Sequence, residues 1–273
     1  MTTLILPRHS QPIGAAAIDQ SNPIAGSASW ITHGDNPFNM GSYPNKSIRF
    51  NVSGGVTEAS SFGISRKYSG NTRDYYNSYL NSGHPYLNTS GNFTLALLAI
   101  CTALPSARVP AIGTIYDPGT PDEEVCQLGI SINNKWEFVQ KESGVLSSVE
   151  GSNVVVGKPA FVVATSAGAI YVDGVLIANA NHTVRAKLRN WLLMFKGAKP
   201  DSSSGFTGHI GLEMAWPFLL SSSQIVELSS NPWQIFKPLR RTIYFDAPSG
   251  LPAIASLNVS NITSTGARLT VSA

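Results

Sequence analysis

The side chains best suited to recognition chemistry cluster in YSGNTRDYYNSYLNSGHPY, residues Tyr68 to Tyr86. Five tyrosines stand there among Asn, Ser and Gly, with Arg73 and Asp74 next to Tyr75. Tyrosine offers a large, rigid contact area at low entropic cost, and its aromatic face stacks on sugar rings. Arg73, Asp74, Tyr75, Tyr76, Tyr79 and Tyr86 are therefore the candidate ligand or interface residues, in a loop that contacts a glycan or a protein. The alternative is a long loop stapled to the body by its own tyrosines.

Other reactive side chains lack the spacing that chemistry needs. Asp122, Glu123 and Glu124 form an acidic cluster, but no Asp-X-Asp-X-Asp run supplies the convergent oxygens a hard cation takes. His9, His33, His84, His182 and His209 are scattered, with no pair at the i, i+4 spacing of a helical zinc site. Cys101 and Cys126 lack a CxxC partner and sit in apolar runs, which predicts two buried thiols. Phosphate-loop and Gly-X-Ser-X-Gly motifs are absent. Neither a metal nor another cofactor is expected. Lys237, Arg240 and Arg241 make a small basic cluster, read as solvated charge or as a docking point for an acidic neighbour.

Composition restricts the class of protein. Only 13% of the 273 residues are charged, about half the usual share, and 42% are hydrophobic. Polar uncharged residues fill the gap, as suits sheets, turns and packed protein contacts. The net charge of +3 comes without a basic stripe, so nucleic acid is not an expected partner. No apolar run approaches the ~20 residues of a membrane helix, so insertion is not expected. MTTLILPRHSQP is too short in apolar residues for a secretory signal, which predicts synthesis in the cytoplasm.

The elements that must position these residues read as strands. Ile48, Phe50 and Val52 alternate in KSIRFNV, and residues 54–91 then turn polar and loop-rich. FTLALLAIC, Phe93 to Cys101, is continuously apolar between Gly91-Asn92 and Pro105, as a strand buried on both faces would be. Leu128, Ile130 and Ile132 alternate ahead of Asn133-Asn134, with Trp136 and Phe138 beyond, which predicts a tight hairpin. AIYV and VLIA flank Asp173-Gly174, the pair favoured by a type I′ turn. Ser221 and Gln224 spell a capping box for a helix over 222–229, ended by Asn231-Pro232. Trp216, Trp233 and Phe236 are expected in the core beneath it. Many short strands with frequent turns predict an all-β, two-sheet jelly-roll sandwich with one short helix. The expected divisions are an extended arm over 1–45, which wraps the core or reaches a neighbour, the sandwich over 46–247, and a β-ribbon over 248–273.

Three segments carry a family resemblance. The AIYVDGVLIA hairpin, the strand–turn–helix FTGHIGLEMAWPFLLSSSQIVEL and the exit NPWQIF resemble laminin-G-like, concanavalin A-like jelly rolls of tailed bacteriophages. The likeness covers roughly residues 90–238, with a weaker echo in QPIGAAAIDQSNPI. The tail LPAIASLNVSNITSTGARLTVSA resembles the first two strands of a fibronectin type III module. The resemblance implies a virion structural protein, in head decoration or tail, with other virion proteins and copies of itself as partners. The alternative it leaves is a carbohydrate-binding module that adsorbs to host surface glycans. Hydrolases of this fold carry Glu-X-Asp-X-Glu on one strand; that pattern is missing here, and Glu137 and Glu142 are spaced wrongly for it, so the chain is expected not to be an enzyme.

Overall fold

The computed structural model describes residues 16–33, 49–53, 56–61, 63–69, 75–79, 92–116, 124–142, 144–182, 193–195, 205–238, 256–263 and 266–272. They form an all-β sandwich with antiparallel pairing throughout. Strands are numbered β1 to β19 along the chain. Among the described residues the larger sheet runs β14 (Val175–Asn179), β13 (Ala169–Val172), β12 (Pro159–Thr165), β7 (Thr94–Cys101), β16 (Thr207–Trp216), β5 (Gly63–Ser69) and β4 (Val56–Ser60). β2 (Trp30–His33) joins β16 in line with β5: β5 pairs with Thr207–Ile210 and β2 with Leu212–Ala215. A second sheet runs β11 (Val145–Asn153), β10 (Lys135–Glu142), β9 (Glu124–Ile130) and β8 (Val109–Tyr116). Beside β8 lies β15 (Leu193–Phe195), which pairs with β6 (Tyr75–Tyr79), itself paired with β3 (Arg49–Ser53).

The apolar run over 93–101 is a strand buried on both faces. Leu95, Leu97, Ala99 and Cys101 point to the second sheet, where they meet Leu128, Trp136 and Phe138. Ala96, Leu98 and Ile100 point the other way, with Phe161, Leu212, Met214 and Trp216. Strand alternation thus divides one hydrophobic word between two cores. The second core is roofed by α2 (Ser222–Ser230), through Ile225 and Leu228, and by the 3-10 turn Pro232–Ile235, through Trp233 and Ile235. Burying each such side chain contributes about 1.5–3 kcal/mol. The capping box on α2 has both of its bonds: Ser221 Oγ accepts from the Gln224 amide at 3.3 Å, and Gln224 Oε1 accepts from the Ser221 amide at 2.9 Å. Cys101 and Cys126 are both buried free thiols.

Residues 16–33, within the expected arm, lie on the body and are regular. β1 (Ala16–Ile18) pairs with β17 (Phe236–Pro238), α1 (Pro23–Gly26) is capped by Asn22, and β2 extends the larger sheet. Trp216 Nε1 donates to the Ile24 carbonyl at 2.8 Å, and Ser29 Oγ to the Ala215 carbonyl at 3.0 Å. The tail residues form a two-stranded ladder, β18 (Ser256–Thr263) with β19 (Gly266–Ser272).

Two sequence expectations change. Within 54–91, expected to be loop-rich, the described residues form the strands β4, β5 and β6. Polar strands escaped detection because β5 runs between two neighbours and satisfies its polar groups sideways. Buried Ser65 bonds the Glu58 carbonyl at 3.2 Å and His209 Nδ1 at 3.0 Å. Ile132 is 65% exposed instead of continuing the alternation. β9 stops at Ile130 because Ser131 donates its amide to Lys135 and accepts from Asn133 at its hydroxyl, closing the turn early. Only Asn134 of the Asn pair is left-handed, whereas Asp173 (φ 50) and Gly174 (φ 82) both are, as a type I′ turn requires.

Candidate functional site

One end of the sandwich gathers the turns 131–134, 154–158 and 173–174. β11 arrives there at Asn153, β12 departs from Pro159, and β13 ends at Val172. A depression of about 90 Å³ lies among them. Its floor is apolar, from Trp136, Pro159 and Val172, and its rim carries Ser152, Asn153, Lys158 and Asp173.

Backbone bonds fix this rim. The Val154 amide donates to the Asn134 carbonyl at 2.9 Å, and Gly157 to Cys101 at 2.8 Å, tying the 154–158 turn to both sheets. Asp173 clamps β12: its amide donates to the Phe161 carbonyl at 2.8 Å and its Oδ1 accepts from the Phe161 amide at 2.9 Å. Lys158 is exposed and makes no ion pair among the described residues. The lining therefore combines an ammonium, an amide, a hydroxyl and a carboxylate with apolar side chains, the Asp173 Oδ1 being engaged by the Phe161 amide. That mixture suits a polyol, whose hydroxyls need both donors and acceptors. The volume is below the ~300–1,000 Å³ of an enclosing pocket, so it has room only for the edge of a ligand.

A second polar feature lies on the outer face of the second sheet. Trp136 and Phe138 of β10 point into the core, so Glu137 points away from it. Its carboxylate is gripped bidentately by Arg108, Nε to Oε2 at 2.6 Å and Nη2 to Oε1 at 2.8 Å. Glu137 is 2% exposed, while the Arg108 side chain is 40% exposed and keeps N–H donors for solvent. Sequence reasoning missed this pair. Arg108 stands in a loop stretch, and only the β8–β9–β10 order brings it to a residue 29 positions away.

Of the sequence candidates, Tyr75, Tyr76 and Tyr79 do not line the depression. Tyr75, Tyr76 and Tyr79 lie on β6, with backbone partners Ser53 and Phe195, Val52 and Met194, and Arg49 respectively. They occupy a middle strand, not the loop expected for them. Arg73, Asp74 and Tyr86 lie outside the described residues, as do Asp122, Glu123, Arg240 and Arg241. Glu124 opens β9 opposite Tyr116. Lys237 is on β17, its Nζ 3.6 Å from Asp19 Oδ1. Trp216 and Trp233 are buried under α2, with Phe236 packed beside them. Among the described residues there is no group of three or more His, Cys, Asp or Glu side chains placed to hold a metal, and no helix long and apolar enough to cross a membrane.

No family model and no curated protein matches the chain. Solved structures do. The sialidase of Trypanosoma rangeli in complex with sialic acid superposes at a TM-score of 0.53, with 17% identity over 69% of this chain and 30% of that one. The binding domain of Paraclostridial Mosquitocidal Protein 1 gives 0.55, with 11% identity over 76% of this chain and 52% of that one. A carbohydrate-binding module, CBM40 of the Ruminococcus gnavus IT-sialidase bound to alpha2,3 sialyllactose, gives 0.49, with 13% identity over 60% and 96%. The feature shared with the first two is the β-sandwich, and neither is a phage protein. The expectation that the chain is not an enzyme is overturned by the first of these findings, since structures similar to it are sialidases. The chain spans 30% of the length of those sialidases, and at such identity the likeness carries fold and no residue roles.

Proposed function

We propose that this chain binds carbohydrate through the open end of its sandwich. The observation that carries the reading is the depression between Trp136 and the Ser152–Asn153–Lys158–Asp173 rim, where hydrogen-bonding groups of both kinds surround an apolar floor. Support comes from the sandwich it shares with a sialidase and with a toxin's binding domain. Glycans in solution would be engaged at a chain end or a single exposed residue, as the small volume dictates. The tyrosine strand, with Arg73, Asp74, Tyr75, Tyr76, Tyr79 and Tyr86, is the second contact surface of this proposal.

Calorimetric titration with neutral oligosaccharides and with sialyllactose tests it, with released sugar measured in the same mixtures. The wild-type protein is expected to bind one class, and Lys158→Ala and Asn153→Ala to weaken binding about tenfold, the equivalent of one charged hydrogen bond. Equal affinity in the variants, or no binding of any glycan, would remove the depression as the site.

A second reading places the protein on a virion, partnered by other virion proteins and by copies of itself. The observation that favours it is the 256–272 ribbon, whose strands pair with each other and with no other described strand. A two-stranded ribbon is marginal alone in water, so an added strand from a second chain would stabilise it. Light scattering on the full chain and on a chain lacking 248–273 separates the cases. A monomer in both would sink assembly through the ribbon.

A further inference from the structure

The end of the sandwich opposite the depression is closed by a buried polar network. After β14 the chain turns at Asn181 (φ 46) and drives His182 into the interior, where it is 5% exposed. The imidazole stacks on Phe138, with centroids 5.8 Å apart and planes 11° from parallel. Gln140, fully buried on β10, reaches across the core. Its Nε2 donates to the Ser166 carbonyl at 2.8 Å and lies 2.8 Å from His182 Nδ1. The Ala180 amide donates to the Gly168 carbonyl at 3.0 Å and the His182 amide to Ala167 at 3.2 Å, so the returning chain is fastened to the 166–168 turn. Gly168 (φ +92) has to be glycine, because a Cβ there would sit 2.9 Å from the His182 amide nitrogen and ring.

Bond directions fix the proton. The Ser166 carbonyl can only accept, so the Gln140 atom facing it is the NH2 group. That group's other proton points at His182 Nδ1, which must then be a lone pair. The neutral ring therefore carries its hydrogen on Nε2. Adding a proton places Nδ1–H against the NH2 group, donor against donor. Rotating the amide does not help, because Oε1 would then face the Ser166 oxygen.

We propose that the Gln140–His182–Ser166 network is a proton-operated latch that frees residues 180–182 from the 166–168 turn on mild acidification. Among the described residues no charged group acts on the ring: burial and the Ser148 backbone are what move its proton affinity. β10 presents Phe138 and Gln140, β11 the Ser148 backbone, and the turn Ser166, Ala167 and Gly168. Glu150 of β11 is held by Asn133 at 2.8 Å and Lys135 at 3.4 Å instead. Burial holds His182 below the ordinary histidine range of about 6.5, with the Ser148 backbone pulling weakly upward. That carbonyl completes no hydrogen bond to Nε2 within the described residues. The unfolded chain thus takes up the proton first. The latch's stabilisation is complete above about pH 6.5 and is lost as pH falls toward the lower folded value. His209 is also held low, mainly by burial, but lies in the β16–β5 pairing, so it needs a separate control.

Hydrogen exchange of residues 166–182, corrected for intrinsic rate, is compared at pH 7.5 and 5.0 in the full chain. Protection in the wild type is expected to fall several-fold at pH 5.0, as protonation sets Nδ1–H against the Gln140 NH2 group. In His182→Gln that dependence should vanish, while His209→Gln should keep it. Should His182→Gln fail to fold, histidine NMR titration of the wild type decides, because loss of protection must track the His182 resonance. Unchanged protection across the range, the same pH response in His182→Gln, or opening that tracks His209 overturns the latch. The inference is independent of the glycan reading, since no sugar enters the measurement.

Discussion

The two ends of the sandwich use similar polar side chains to opposite purposes. At one end Ser152, Asn153, Lys158 and Asp173 surround a depression, and their backbones are tied down while Lys158 faces water. At the other, Gln140, Ser166 and His182 turn inward and bind one another. The difference lies in what each turn carries. The 154–158 and 173–174 turns close by backbone bonds and by the Asp173 clamp, leaving the rim outside the core. The 166–168 turn closes around an imported imidazole, with Gln140 Oε1 and His182 Nε2 buried and unpartnered within the described residues. Polar groups turned into the core serve structure, whereas Lys158, exposed and without an ion pair among the described residues, is available for binding.

Substitutions at the two ends should therefore behave differently. The largest effect belongs to Trp136→Ala, because this side chain is both floor of the open end and part of the inter-sheet core. We expect a loss of about 3–5 kcal/mol in urea unfolding. Gly168→Ala comes next, at about 3 kcal/mol, combining a left-handed backbone with a collision at His182. A near-neutral result would mean that His182 can move aside, and would weaken the picture of a tight closed end. Gln140→Leu strands the Ser166 carbonyl and His182 Nδ1, for about 1–3 kcal/mol. The smallest stability effect is Lys158→Ala, within about 0.5 kcal/mol by thermal melting. A large loss there would make the open end structural too and erase the contrast.

Local chemistry was legible in the sequence; lateral chemistry was not. The Asp173-Gly174 turn, the Ser221–Gln224 cap and the doubly buried 94–101 strand all follow from rules acting over a few residues. β5 and β6 escaped because Ser65 and the tyrosines of β6 give no apolar alternation, and their strand character comes from neighbours far along the chain. The depression is hidden for the same reason: Trp136 on β10 and Lys158 and Asp173 in two separate turns converge only when the sheets pair. The Arg108–Glu137 pair and the Gln140–His182 bond are likewise products of strand order.

Trp216 bonds the Ile24 carbonyl across 192 positions, and β2 and β5 both wait for β16 as their neighbour. During synthesis the early segments emerge long before the strand they need. Until Thr207–Trp216 leaves the ribosome, β7 has one flank open and its Leu98 face uncovered. The nascent chain must stay soluble through that interval, and its final closure is a late, long-range event and therefore a slow one.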